Sequence, residues 1–202
     1  MYNYLIKYLL ALQILLITAV PAHLYAQSVI QRFDDRIMID LSESRTPEKT
    51  GLFTFLSKYN NAVNIAVPAG LFTAGVIGND KGMRQNSAYI ASSTAVNFVF
   101  NNLVKIIVKR KRPFNGNVKI NAVYQPGGYS FPSGHASSSF TTATALSQAY
   151  SKWYVIAPAY LWAGSVSYSR LYLGVHYPSD VTVGALSGAG TALSMSFLKS
   201  DK

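Results

Sequence analysis

Ala88 to Pro113 reads AYIASSTAVNFVFNNLVKIIVKRKRP. Up to Val108 it has helical length, an apolar bias and no acidic residue. A helix that crosses a bilayer needs roughly 20 mostly apolar residues, and polar side chains within it, here Asn97, Asn101 and Asn102, normally face the interior of a bundle. Lys105 and Arg112 are separated by six residues, a spacing of two helical turns that puts both on one face. Pro113 then stops the helix. Their long stems can converge on one anion: arginine grips two phosphoryl oxygens through its planar fork, and lysine acts as a point charge. The intervening Lys109, Arg110 and Lys111 read on their own as a solvated basic loop.

Outward from this stretch the same pattern recurs. Ala62–Gly78, Gly134–Tyr150, Trp153–Tyr168 and Val181–Leu198 have helical length and apolar bias, and Gly184, Gly188 and Gly190 in the last allow close helix packing. β-branched runs that would make separating strands are missing, so the expectation is an all-α bundle of five to six helices, embedded in a membrane or standing in the periplasm. The core is residues 62–198. Residues 27–60, with the turn formers Thr46-Pro47, are expected to form short helices against the bundle or the membrane surface. Residues 1–26 read as a signal peptide or a first transmembrane helix: Lys7 is the positive region, Tyr8 to Val20 the apolar one, and Ala26 a small residue at a cleavage point. The 202-residue chain is long enough for one domain, and it has no cysteine, which excludes disulfides and thiolate metal sites. Half of it is hydrophobic and 13% is charged, against roughly 25% in soluble domains.

The net charge of +10 is unevenly placed. Between Asp80 and Asp180 there are ten basic residues and no acidic one, and such a one-signed stretch must attract an anion. The export signal argues against nucleic acid and leaves anionic lipid or a phosphorylated substrate. Two of the three histidines, His135 and His176, stand in loops or helix starts among glycine, serine and proline. Pro132-Ser133-Gly134-His135 opens a small-residue run: Ser133 is a good N-cap, Gly134 permits close backbone approach, and free N–H groups at a helix start bind anions. Ser169-Arg170 is followed by His176 and by Asp180, whose carboxylate, four residues on, can reach the imidazole Nδ1–H. That contact would fix the tautomer and leave Nε2 as the lone-pair nitrogen. Asp180 is the one acidic residue between positions 81 and 200.

In this order, Lys105 to Pro113, Pro132 to His135 and Ser169 to Asp180 resemble the three-part signature of the type 2 phosphatidic acid phosphatase (PAP2) superfamily, which also holds bacterial acid phosphatases and vanadium haloperoxidases. The resemblance implies a phosphatase without metal or other cofactor. It implies that His176 is the nucleophile that forms a phosphohistidine, that Asp180 orients it, and that His135 protonates the leaving oxygen and then activates water. Lys105, Arg112, Arg170, the Ser133 hydroxyl and the Gly134 N–H would clamp the phosphoryl group. The implied substrates are phosphatidic acid, phosphatidylglycerol phosphate, undecaprenyl diphosphate or lipid A phosphates; the alternatives are a soluble periplasmic acid phosphatase and a vanadate-dependent haloperoxidase. With a cytoplasmic N-terminus, alternating segments put Pro113–Pro132 and Ser169–Asp180 on the same outer face. The loop from Phe114 to Phe131, with Gly127-Gly128 as a hinge, is the expected determinant of selectivity.

Overall fold

A computed structural model describes residues 24–200 with the exception of 118. The apolar run of the expected signal or first membrane helix therefore lies outside the described residues; Leu24–Ala26 begin helix α1, Leu24–Glu43. There follow α2 (Pro47–Ile77), α3 (Lys81–Val108), a single turn α4 (Pro113–Gly116), α5 (Gly134–Ala149), α6 (Trp153–Tyr172), α7 (Pro178–Ser194) and a 3-10 turn at Ser196–Leu198. No strand occurs among the described residues, and the chain is all-α.

Two expectations need correction. Residues 27–60 do not form separate short helices: they are α1 and the first turns of a 31-residue α2. Thr46 and Pro47 start that helix, Thr46 Oγ1 accepting from Lys49 N at 3.4 Å and Pro47 standing in the first turn, where its fixed φ and missing N–H cost nothing. The second concerns the spacing of Lys105 and Arg112. Helix α3 ends at Val108 because Lys109 turns left-handed (φ 52°, ψ 32°), and Arg112, made extended by the proline after it, lies at φ −73°, ψ 159°. Arg112 is therefore on a connection and shares no helix face with Lys105.

Helix α5 is the centre, packed on α7, α6, α3 and α2. It contacts α7 backbone to backbone: a Cβ on Gly184 would lie 2.6 Å from Ser133 O and one on Gly188 2.1 Å from Ser137 O. Polarity is inverted relative to a water-soluble bundle. Asn60, Asn64, Asn97, Ser137 and Thr141 are buried, while Ile65, Ile77, Phe98, Ile107, Leu161 and Leu186 are exposed. Two runs, Pro47–Ile77 and Lys81–Gly116, are long and apolar enough to cross a membrane. The α2–α3 turn and the chain's C-terminal end meet at one pole, where Gln85 donates to Leu198 O and Lys199 O at 3.2 and 3.1 Å. The three motifs gather at the other.

Candidate active site

His176 sits in the turn between α6 and α7 and is 2% exposed. Gly174 makes that turn possible: its φ is +79°, and a Cβ there would lie 2.8 Å from Asn121 O. The next loop residues are held from behind, Val175 O and His176 Nε2 both facing Arg112 Nη1, at 2.9 and 3.3 Å. A guanidinium can only donate, so the nitrogen facing it is Nε2 with its lone pair, and Nδ1 carries the proton. On the Nδ1 side, Asp180 Oδ2 is 3.7 Å away, too far for a hydrogen bond. Ser130 fills the gap: its Oγ is 3.5 Å from Nδ1 and donates to Asp180 Oδ2. The sequence pointed to a direct His176–Asp180 contact; the structure inserts a hydroxyl. Burial holds the imidazole pKa far below its ordinary value, with Arg170 and Arg112 adding to the effect against the opposing pull of Asp180, so the ring is neutral at neutral pH.

Asp180 is fully buried in the first turn of α7. Its Oδ2 also accepts from Tyr177 N at 2.9 Å and its Oδ1 from Arg110 Nη1 at 2.6 Å. Arg110 is thus no part of a solvated loop, as the run Lys109–Lys111 suggested. Its pairing carried no signal in the sequence, because Arg110 and Asp180 are 70 residues apart.

Those three cations converge. Arg112 is 7% exposed, its Nη2 and Nε donating to Gly127 O and Gly128 O at 3.0 and 3.2 Å; the pair expected to act as a hinge is a brace. Lys105 Nζ, from the last turn of α3, donates to Pro132 O at 2.6 Å and Tyr129 O at 3.0 Å. Arg170, at the end of α6 and 2% exposed, donates to Tyr124 OH at 2.5 Å and to Ser57 Oγ. Ser57, Tyr124 and Ser130 carried no signal in the sequence, because single hydroxyl side chains have no diagnostic spacing.

Ser133 caps α5, its Oγ accepting from Ala136 N at 3.5 Å, and its own N–H donates to Asp180 O at 3.0 Å, which joins the second motif to the third. Gly134 follows at the first helical position, where N–H groups lack helical partners. Its lack of a side chain is not sterically required: a Cβ would meet Asn101 Oδ1 at an ordinary 3.5 Å. His135 stands next, with Arg170, His176 and Arg112 in electrostatic reach of its ring. Lys105, Gly134 and His135 also line one end of a cleft of about 1050 Å³ that runs between α2 and α3 past Asn64, Ile65, Ala91, Ala95 and Phe98.

The chain is similar to known proteins. The chain is 37% identical over 144 residues to the undecaprenyl-diphosphatase of Sulfolobus acidocaldarius, covering 69% of this chain and 65% of that protein. It is 40% identical over 94 residues to the lipid A 4'-phosphatase of Bacteroides thetaiotaomicron, covering 44% and 42%. In both cases it spans less than two thirds of the relative. Among solved structures, the transmembrane PAP2 type phosphatidylglycerolphosphate phosphatase of Bacillus subtilis superposes with a TM-score of 0.68 at 21% identity, covering 98% of this chain and 94% of that one. Aquifex aeolicus LpxE gives 0.63 at 25% identity, covering 81% and 94%. The family model of the PAP2 superfamily matches residues 86–201. With more than half its length inside that match, and with it all three motifs that meet around His176, the chain belongs to the PAP2 superfamily.

Proposed function

We infer that the protein is a lipid phosphate phosphatase that hydrolyses a phosphate monoester or diphosphate through a phosphohistidine. The observation that carries the lipid part is the cleft between α2 and α3, which leads from Lys105 and His135 into walls that include the exposed Ile65, Phe72, Phe98 and Val99. It therefore opens sideways onto the apolar belt of the bundle. An apolar chain lying in the cleft would present its phosphate to the cations from within the bilayer. The relatives' names, undecaprenyl-diphosphatase and lipid A 4'-phosphatase, point to the same substrate class.

Lys105, Arg112 and Arg170 hold the phosphoryl oxygens and offset the charge that builds on them, the role a metal ion fills in many phosphatases. The lone pair on His176 Nε2 attacks phosphorus. The P–O bond to the lipid breaks, and the leaving oxygen takes a proton from His135. Positive charge on the phosphorylated ring is stabilised through Nδ1–H, the Ser130 hydroxyl and Asp180. Water then attacks phosphorus, His135 takes its proton, the P–N bond breaks, and inorganic phosphate leaves. The inverted polarity of the bundle favours a membrane-embedded enzyme. With the N-terminal segment starting in the cytoplasm, the motif pole faces outward, which in a bacterium is the periplasm.

The test is phosphate release by purified protein from phosphatidic acid, prenyl diphosphate, lipid A phosphate and water-soluble esters. Turnover of at least one lipid phosphate well above that of the soluble esters is expected, abolished in His176→Ala and indifferent to chelators. Soluble esters turned over as fast as every lipid would overturn the lipid reading, and an active His176→Ala would overturn the nucleophile.

A further inference from the structure

Asp34 and Arg110 contribute nothing to the phosphoryl clamp, yet both are packed against Asp180 and the start of its helix. Asp34 is fully buried and the Arg110 side chain is 20% exposed. One guanidinium spans two carboxylates: Nη1 donates to Asp180 Oδ1 at 2.6 Å and Nη2 to Asp34 Oδ2 at 2.7 Å. Gln31 Oε1 accepts from Nη2 at 2.8 Å, and the guanidinium lies 4.1 Å from the centre of the Tyr177 ring. Asp34 in turn grips the start of α7, accepting from Ser179 N at 3.0 Å and from Ser179 Oγ.

The two oxygens of Asp180 thus face different partners. Oδ2 looks through Ser130 toward His176, and Oδ1 is held by Arg110 alone among charged groups. Pinned at both oxygens, by Arg110 at Oδ1 and by Ser130 and Tyr177 N at Oδ2, the carboxylate cannot turn Oδ2 away from the imidazole. We propose that Arg110 and Asp34 are a positioning pair that locks Asp180 onto His176, which makes α1 a working part of the site. Asp34 lies on the N-terminal helix α1, outside the residues 86–201 that match the family model. The inference rests on His176 being the nucleophile. A lysine at 110 would keep the charge but lose the fork that reaches both carboxylates at once.

The experiment compares full-length wild type with Arg110→Lys, Asp34→Asn and the double variant. Turnover is measured on the best lipid phosphate, and clamp integrity by product inhibition with inorganic phosphate, a tetrahedral anion that needs Lys105, Arg112 and Arg170 and binds without a bond to His176. Each single variant is expected to lose on the order of ten- to a hundredfold in kcat, the range in which removal of groups that orient a site's reactive side chains is felt, with KM and phosphate inhibition changed by less than about threefold. The double variant should be no slower than the slower single, because both act through Asp180. Unchanged kcat in the single variants overturns the pair. Phosphate inhibition lost in step with kcat also overturns it, since Arg110 would then support the fold or the clamp. Losses that multiply in the double variant would show two independent roles and overturn it equally. An inactive wild type refutes the reading of His176, whereas an active wild type with indifferent variants refutes the positioning pair alone.

Discussion

Arg112 serves three oxygen acceptors behind it and a nitrogen in front. Gly127 O, Gly128 O and Val175 O take its N–H groups at 3.0, 3.2 and 2.9 Å, and His176 Nε2 lies 3.3 Å from Nη1. These carbonyls fix the plane of the fork, so charge alone cannot replace it. Arg112→Lys should lower kcat/KM by roughly ten- to a hundredfold, the worth of one or two charge-assisted hydrogen bonds; a variant within about twofold of wild type would mean that the fork is dispensable. His176 makes a second claim at this scale. Its pKa is lowered by burial to about 3, so the neutral ring persists at pH values where a free imidazole, near 6.5, is mostly protonated, and protonation sets in only as pH falls toward the lowered value. Imidazole resonances of the detergent-solubilised protein should show His176 unchanged between about pH 8 and 5, whereas a midpoint near 6.5 would contradict it. His135, His176, Asp180, Lys105, Arg112 and Arg170 were legible through the order of three short runs that together resemble one signature, although the spacing of Lys105 and Arg112 does not place them on one helix face. Ser130 and Asp34 were not: their partners lie 50 and 145 residues away, and nothing near either residue announces them.

Helices were legible as apolar segments, but their ends were set by single residues. Thr46 starts α2 well before the apolar pattern does, and Lys109 ends α3 by turning left-handed, a conformation no spacing rule required of a lysine. Glycine was read more securely. Gly188 of α7 meets α5 at the backbone, where an added Cβ would come within 2.1 Å of Ser137 O. Neither partner is a flexible tip that can move aside. Gly188→Ala should therefore destabilise the protein by about 1–3 kcal/mol, the usual cost of overpacking, visible as a lower Tm in detergent. Gly51, in the first turns of α2, has nothing within 4 Å of its Cβ position. Gly51→Ala should stabilise by about 0.5–1 kcal/mol, since an exposed helical site gains by losing backbone freedom in the unfolded chain. Opposite signs for the same substitution separate α5–α7 contact from glycine's helix propensity, and equal signs would mean that α5 and α7 do not approach this closely.

At the scale of the whole molecule, one arrangement of charge and apolar surface explains both the placement and the proposed substrate. Apolar side chains cover the outside of the bundle, hydroxyls and amides fill its middle, and Lys105, Arg110, Arg112 and Arg170 gather at the motif pole. With the motif pole facing outward, as proposed, the basic run Lys109–Arg112 runs against the preference of cationic loops for the cytoplasmic side, and two of its members explain why: Arg110 and Arg112 are turned inward onto Asp180 and His176, leaving Lys109 and Lys111 as its exposed charges. The cleft between α2 and α3 is the one feature that makes this pole suited to a lipid rather than to any phosphoester. Ala91 and Ala95 stand one helical turn apart on its wall. A tryptophan at 95 would occupy the space of a chain segment without touching the cations, so Ala95→Trp should spare a water-soluble ester while excluding part of a lipid tail. Displacing two methylenes from apolar contact costs about 1.6 kcal/mol, roughly a tenfold loss of kcat/KM on a long-chain substrate. Assays across chain lengths should show that loss growing from the shortest lipid to the longest. A uniform loss would place the lipid tail outside the cleft, and a loss confined to the soluble ester would mean that the cleft serves the phosphate end instead.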